Sequence, residues 1–212
     1  MTIALYYSPG SCSFAPHVVL REIGLEFELR RFSTADRSNY SAEYLAVNPR
    51  GRIPALSIDG FTLTETPAIL AYLGRRYPKA GLYPSTAKED EARCLELLAW
   101  SSNTVHVAFA QIMRAERFVP SEEAYPPVQA SGRVNFQRCL AEIEAHLTGS
   151  PFAVGSRFTV VDPFWLVFYR WGLGQGYDNE RLYPAYTRYA QALSQRPSVK
   201  DALSAEGISL WE

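Results

Sequence analysis

Cysteine is scarce in this chain: three residues, Cys12, Cys94 and Cys139, among 212. An odd number cannot all pair and no CxxC occurs. Free thiols in a reducing, cytoplasmic setting therefore fit better than a disulfide framework. Histidine is equally scarce, and no spacing among His17, His106, His146 and the cysteines suggests zinc. No stretch approaches about 20 consecutive apolar residues, so no membrane span is expected. The opening MTIALYYSPG lacks a basic segment followed by a long apolar run, so it does not read as a signal peptide. Excess charge is missing too. Twenty-one basic residues against 22 acidic leave a formal net charge of -1, which does not suggest a nucleic-acid protein held by phosphate contacts. Lysine is rare, since 18 of the basic residues are arginine, and no mechanism follows from that count alone. The length allows one large domain or two small ones.

What is present divides into two grammars. Ile3–Tyr7 is a short apolar and aromatic run that suits a buried strand. Ser8-Pro9-Gly10-Ser11 breaks it. From Ser13 the spacing of Phe14, Val18 and Ile23 is helical, with Gly24 as a stop. Strands are expected at Phe27–Phe32 and Ile53–Ile58, and the latter returns through an Asp59-Gly60 hairpin into Phe61-Thr62-Leu63. Residues 33–42 read as a loop or a short helix. Pro67 opens a helix that ends before Pro78. The order β-α-β-loop-β-β-α predicts a four-stranded mixed sheet. After Pro84 the chain reads as helices: residues 88–118, 131–148, an almost wholly apolar 159–174, and a last stretch interrupted at Pro197. We expect an α/β domain over residues 1–80, a linker over 81–86 and an all-α domain over 87–212. The first 80 residues carry a small positive balance, which would favour an anionic ligand there.

Several residues carry chemistry. Cys12 follows a strand and a Pro-Gly break and stands at the start of a helix. Backbone N–H groups there would lower a thiol pKa. Two readings stand, a reactive thiol or a buried inert one. Ser11 and Ser13 flank it, as helix caps or as hydrogen-bond donors to a bound thiolate. Tyr6 and Tyr7 point to opposite faces of the first strand, and one of them would line a site near Cys12. Pro54 opens a strand, and the Ile53-Pro54 bond is a candidate cis peptide, against the plainer reading of an edge proline. Cis geometry would leave the Ile53 backbone free to pair with an extended peptide. Glu65 lies just outside a helix start, with Thr66 as N-cap and Pro67 at N1. That end suits either a plain cap or an α-amino acid head group, its carboxylate on free N–H groups and its amine on Glu65. Thr159-Val160-Val161-Asp162 has the spacing of a structural capping box. His106 lies in the first long C-terminal helix near Asn103, where a structural role is the commoner one.

These pieces resemble bacterial beta-class glutathione S-transferases. The resemblance is carried by Tyr6-Tyr7-Ser8-Pro9-Gly10-Ser11-Cys12-Ser13 with Pro16-His17, by Asn48-Pro49-Arg50-Gly51-Arg52-Ile53-Pro54-Ala55-Leu56, and by Leu63-Thr64-Glu65-Thr66-Pro67. Phe158–Asp162 and the ending Asp201–Gly207 extend it through nearly the whole chain. It implies a thioredoxin-like N-terminal domain, an all-helical C-terminal domain, a homodimer, and glutathione as co-substrate with no other cofactor and no metal. It implies that Cys12 lies beside the glutathione sulfur and that the Ile53 backbone, before cis Pro54, pairs with the cysteinyl part. Glu65 and Thr66 would receive the γ-glutamyl group. His106, with Asn103, would stand near the sulfur and the second-substrate pocket, Tyr7 and Ser11 beside Cys12, and Arg37 at the glycyl end. Val107 departs from the pattern, standing where many members have lysine, and Pro163 is unusual after the capping box.

The function expected on this resemblance is conjugation of glutathione to a small hydrophobic electrophile. Thiol–disulfide exchange through Cys12, a glutathione-dependent isomerase or dehalogenase, and a non-enzymatic glutathione-binding protein remain the alternatives.

Overall fold

The computed structural model describes residues 1–84 and 88–212. The end of the expected linker, residues 85 and 86, and residue 87 at the start of the expected helical domain lie outside the described residues. The first unit runs β1 (Ile3–Tyr7), α1 (Phe14–Ile23), β2 (Glu28–Arg31), α2 (Ala42–Val47), β3 (Ala55–Ile58), β4 (Phe61–Thr64) and α3 (Thr66–Arg76). The strands lie in the order β2-β1-β3-β4. β1 pairs parallel with β2, with Leu5 opposite Leu29, and antiparallel with β3, with Leu5 opposite Leu56. The Asp59-Gly60 turn returns β3 into β4, with Leu56 opposite Leu63. This is a thioredoxin-like four-stranded mixed sheet.

Only helices follow among the described residues: α4 (Lys88–Trp100), α5 (His106–Met113), α6 (Tyr125–Gly149), α7 (Asp162–Gly174), α8 (Asn179–Leu182), α9 (Pro184–Ser194) and α10 (Pro197–Glu206), besides short 3₁₀ turns. The expected helix over 88–118 is broken. Ser101–Val105 forms one π-helical stretch between α4 and α5, and the chain leaves the helix at Arg114. The stretch Ser-Ser-Asn-Thr-Val holds no strong helix former, and the Ser101 hydroxyl accepts from Trp165 Nε1 at 3.2 Å. α6 begins six residues before the expected 131, because Pro126 and Pro127 occupy its first turn, where an N–H has no intrahelical partner. Pro163 occupies the equivalent place in α7, which removes its oddity.

One core joins both units. α7 buries Phe164, Trp165, Leu166, Val167, Phe168 and Tyr169, and α1 packs Phe14, Val18, Val19 and Leu20 into the same cluster. Each such side chain contributes about 1.5–3 kcal/mol through the apolar area it removes from water. Asp162 is wholly buried at the head of α7. Its carboxylate accepts from the N–H groups of Ala153 (2.9 Å) and Thr159 (2.5 Å) and from the hydroxyls of Thr159 (2.8 Å) and Tyr189 (2.7 Å). The capping box is thus half as expected. The Thr159 hydroxyl turns to the carboxylate and accepts from Val161 N–H rather than from Asp162 N–H.

Candidate active site

The loop between β1 and α1 is closed by its own serines. The Ser13 hydroxyl donates to the Ser8 carbonyl (3.1 Å) and accepts from the Ser8 N–H (3.2 Å), while the Ser11 and Ser13 hydroxyls lie 2.8 Å apart. Gly10 takes φ +68°, a left-handed conformation that costs a side-chain-bearing residue. Its N–H donates to the Glu206 carboxylate (2.9 Å), and its carbonyl accepts from Trp171 Nε1 (3.0 Å). Both polar groups of one loop residue are therefore held by the helical unit, and the next turn of this clamped loop presents Cys12.

The Cys12 Sγ lies 3.5 Å from the Ile53 carbonyl oxygen, to which it donates. Burial pushes its pKa up to about 11, against the opposing effect of the Thr66 hydroxyl. Of the two readings of Cys12, burial favours the inert thiol over one of lowered pKa. α1 starts at Phe14, two residues later, and desolvation outweighs what its N–H groups supply.

The Ile53-Pro54 peptide is cis. Three donors pin the segment before it. Tyr44 Oη and Asn48 Nδ2 donate to the Arg52 carbonyl at 2.5 and 2.7 Å, and Asn39 Nδ2 donates to the Gly51 carbonyl at 2.7 Å. Helix α3 begins at Thr66, one residue earlier than expected, so Glu65 rather than Thr66 is its cap residue, at φ +70°. The Glu65 carboxylate is exposed and pairs loosely with Arg50 (3.7 Å).

From the helical unit, His106 opens α5 directly after the π-helical stretch. Its ring stands edge-on to Trp171 at 5.2 Å, and Trp171 stacks on Phe109 at 4.1 Å. Burial first, then the positive charges of Arg117 and Arg52, depress the His106 pKa to about 4, so the imidazole is neutral at pH 7.

These groups line one open cavity of about 850 Å³ between the sheet and the helices. Of the expected site residues it brings together Ser11, Cys12, Ile53, Pro54, Glu65, Thr66 and His106. Tyr7, Arg37 and Asn103 do not line it. Tyr7 is buried beneath α1, its ring 6.3 Å from that of His17. Arg37 takes a left-handed turn and lays its guanidinium over the Tyr40 ring. Asn103 points to solvent from the π-helical stretch, and Ser102 lines the cavity in its place. The sequence did not single out Asn39, Arg52, Arg114 or Arg117, whereas Trp171, of an aromatic cluster readable as core or as acceptor pocket, does line the cavity. Asn39 is buried with its Oδ1 unpartnered among the described residues, a feature that depends on the fold of the 38–52 loop and leaves no local signal. Among the described residues no group of three or more His, Cys, Asp or Glu side chains is placed to hold a metal ion.

A thioredoxin-like sheet unit, an all-helical unit and a thiol in the cleft between them define the glutathione-transferase class of fold. Residues 1–75 match the model of the glutathione S-transferase N-terminal domain. Glutathione S-transferase GstA of Escherichia coli O157:H7 is 32% identical over 206 residues, covering 96% of this chain and 98% of that protein. The structure of a glutathione transferase homologue from Sulfitobacter with bound glutathione is similar with a TM-score of 0.91 at 31% identity, covering 98% and 99% of the two chains. A sphingomonad glutathione S-transferase complexed with glutathione is similar with a TM-score of 0.83 at 37% identity, covering 97% and 100%. The chain belongs to the glutathione S-transferase family.

Proposed function

We propose that this chain is a glutathione transferase that activates the glutathione thiol for attack on a small hydrophobic electrophile. The observation that carries the reading is the single cavity in which Cys12, the Ile53 backbone and Thr66 face His106 and the Phe109–Trp171 stack. In this reading residues 1–80 bind glutathione and residues 87–212 supply the pocket for the electrophile. The start of α3 receives the γ-glutamyl carboxylate, with Glu65 for its amine. Ile53 pairs with the cysteinyl backbone, which places the glutathione sulfur beside Cys12.

The protonation states assign the roles. Cys12 is a thiol at pH 7, so it donates a hydrogen bond and stabilises a neighbouring thiolate. His106 is neutral and has a ring nitrogen free to take the proton from the glutathione thiol. Arg52 and Arg117 favour the anion that forms. Thiol–disulfide exchange would need Cys12 itself as a thiolate, which its burial opposes. The stacked Phe109 and Trp171 suit an apolar or aromatic electrophile. The same reading includes a homodimer, supported by Phe61, 54% exposed on edge strand β4, and a cytoplasmic setting, supported by three free cysteines.

The test is conjugation of glutathione to 1-chloro-2,4-dinitrobenzene and a panel of other electrophiles by the purified protein. We expect saturable turnover. A rate no higher than the uncatalysed one across the panel rejects the reading. Turnover of mixed disulfides alone would move the protein to the exchange class.

A further inference from the structure

The cavity wall formed by the helical unit is aromatic at its base and cationic at its rim. Phe109 and Trp171 form the base, with 14° between their ring planes. Met113 and Phe118, 47% and 41% exposed, carry the apolar surface outward. Arg114 and Arg117 stand between them in sequence and also line the cavity, together with Arg52 from the sheet unit.

None of these three guanidinium groups has a carboxylate within 4.0 Å among the described residues. Arg114 reaches only neutral acceptors, the carbonyls of Met113 (3.0 Å) and Thr34 (3.5 Å). The crowding is visible in its effects. Burial first, then Arg52 and, least, Arg114 lower the Arg117 pKa against the opposing effect of the Tyr40 hydroxyl, and Arg117 and Arg52 lower that of His106. Glu65 and Glu212 also line the cavity, but neither pairs with these three cations within 4.0 Å, so the cations repel one another and a bound anion relieves them. The guanidinium fork matches the two oxygens of a carboxylate.

We propose that Arg114 and Arg117 form a carboxylate subsite for the second substrate, so that this protein takes electrophiles in which a flat aromatic body carries a carboxylate. The proposal rests on the transferase reading above, with the glutathione thiolate beside Cys12 as nucleophile. Glutathione's own glycyl carboxylate is the other source of the same chemistry. Arg52, on the sheet unit next to Ile53, is the arginine placed for it. Arg114 and Arg117 flank the apolar wall on which an aromatic acceptor rests.

The probe is 4-chloro-3,5-dinitrobenzoate beside its methyl ester, both with glutathione. In each, the sulfur–carbon bond forms at the ring carbon that bears chlorine, the carbon–chlorine bond breaks, and chloride leaves with the bonding pair. The proton of the glutathione thiol passes by way of His106 to solvent, and nothing is oxidised or reduced. The measured quantity is kcat/KM divided by the uncatalysed rate constant for the same compound. We expect the acid to exceed the ester by about tenfold or more at low salt, and the ratio to fall toward one as salt is added. In the double variant Arg114→Gln/Arg117→Gln the ratio falls by about tenfold. Arg117 is exposed and Arg114 half-buried, Gln keeps part of each stem, and circular dichroism checks that the double variant is folded.

An ester turned over as well as the acid by the wild type overturns the proposal. So does a double variant that raises the KM for glutathione while leaving the acid-to-ester ratio intact, since the arginines would then serve the tripeptide. Failure of both compounds and of 1-chloro-2,4-dinitrobenzene rejects the transferase reading, and this subsite with it. Turnover of 1-chloro-2,4-dinitrobenzene without preference for the acid rejects the subsite alone.

Discussion

Glu206, at the end of α10, meets His17 of α1 across 189 residues of sequence, with Oε1 and Nδ1 2.8 Å apart and both side chains fully buried. The other carboxylate oxygen accepts the Gly10 N–H, and Arg21 Nε donates to the far nitrogen of the His17 ring (2.9 Å). One carboxylate thereby joins the helical unit to α1 and to the loop that carries Cys12. Removing it strands a buried imidazole and a buried backbone donor. Glu206→Ala should lower unfolding stability by about 3–5 kcal/mol, read as a shift of the urea midpoint. Glu206→Gln keeps the shape and one acceptor oxygen but points its amide N–H groups at a donor, so it should recover only part of that loss. A Glu206→Gln variant as stable as the wild type would show that the side chain only fills space.

Cys12 provides the second prediction. A buried thiol with a pKa of about 11 is poorly ionised at neutral pH. Iodoacetamide should alkylate it slowly at pH 7.5, with a rate still rising beyond pH 9, measured by mass spectrometry of the Cys12 peptide. A plateau below pH 8 would refute this state of the sulfur. If Cys12 acts as a hydrogen-bond donor to the glutathione thiolate, Cys12→Ala should reduce kcat/KM for conjugation by about 10- to 100-fold, the size of one charge-assisted hydrogen bond of about 1.5–3 kcal/mol. Cys12→Ser, which keeps a donor, should lose less.

How much of this was legible beforehand varies with the range of the interaction involved. The sheet was readable because each strand announces itself locally, as in Ile3–Tyr7 and the Asp59-Gly60 turn. The α3 start was readable to within one residue, because Thr66-Pro67 is a local stop-and-start signal. The state of Cys12 stayed open between two readings because the helix-start argument is local, whereas its burial comes from residues far away in sequence such as Ile53 and Thr66. The place of Tyr7 stayed open for a related reason. Alternation along β1 shows that Tyr6 and Tyr7 face apart, but only the packing of α1 decides which face is covered. Arg117 had no signal at all. It follows the end of α5, and that end depends on the π-helical stretch turning the chain.

His106 predicts a pH dependence. Its folded pKa, about 4, lies below the ordinary value of 6.5, so the unfolded chain binds this proton more tightly. The contribution of neutral His106 to stability is therefore full above pH 6.5 and is lost as pH falls toward 4. In His106→Gln the stability slope in this window should be shallower than in the wild type, measured by urea titration at several pH values. Conjugation should show no loss of activity centred near pH 6.5 from this residue. A limb at that position in the wild type, absent from the variant, would contradict a buried neutral imidazole.

Asp162 tests whether the head of α7 is structural. Its carboxylate accepts four hydrogen bonds from Ala153, Thr159 and Tyr189, and it does not line the cavity. Asp162→Ala leaves two backbone N–H groups and two hydroxyls without their acceptor in a dry core. The loss should be about 3–5 kcal/mol of unfolding stability, large enough to lower the soluble yield. Asp162→Asn keeps one acceptor oxygen but must point its amide at a donor, so it recovers only part of that loss. In the fraction that folds, the KM for glutathione should stay within about twofold of wild type, because no donor to Asp162 touches the glutathione side. A variant with wild-type stability and a raised KM would place Asp162 in the binding machinery instead.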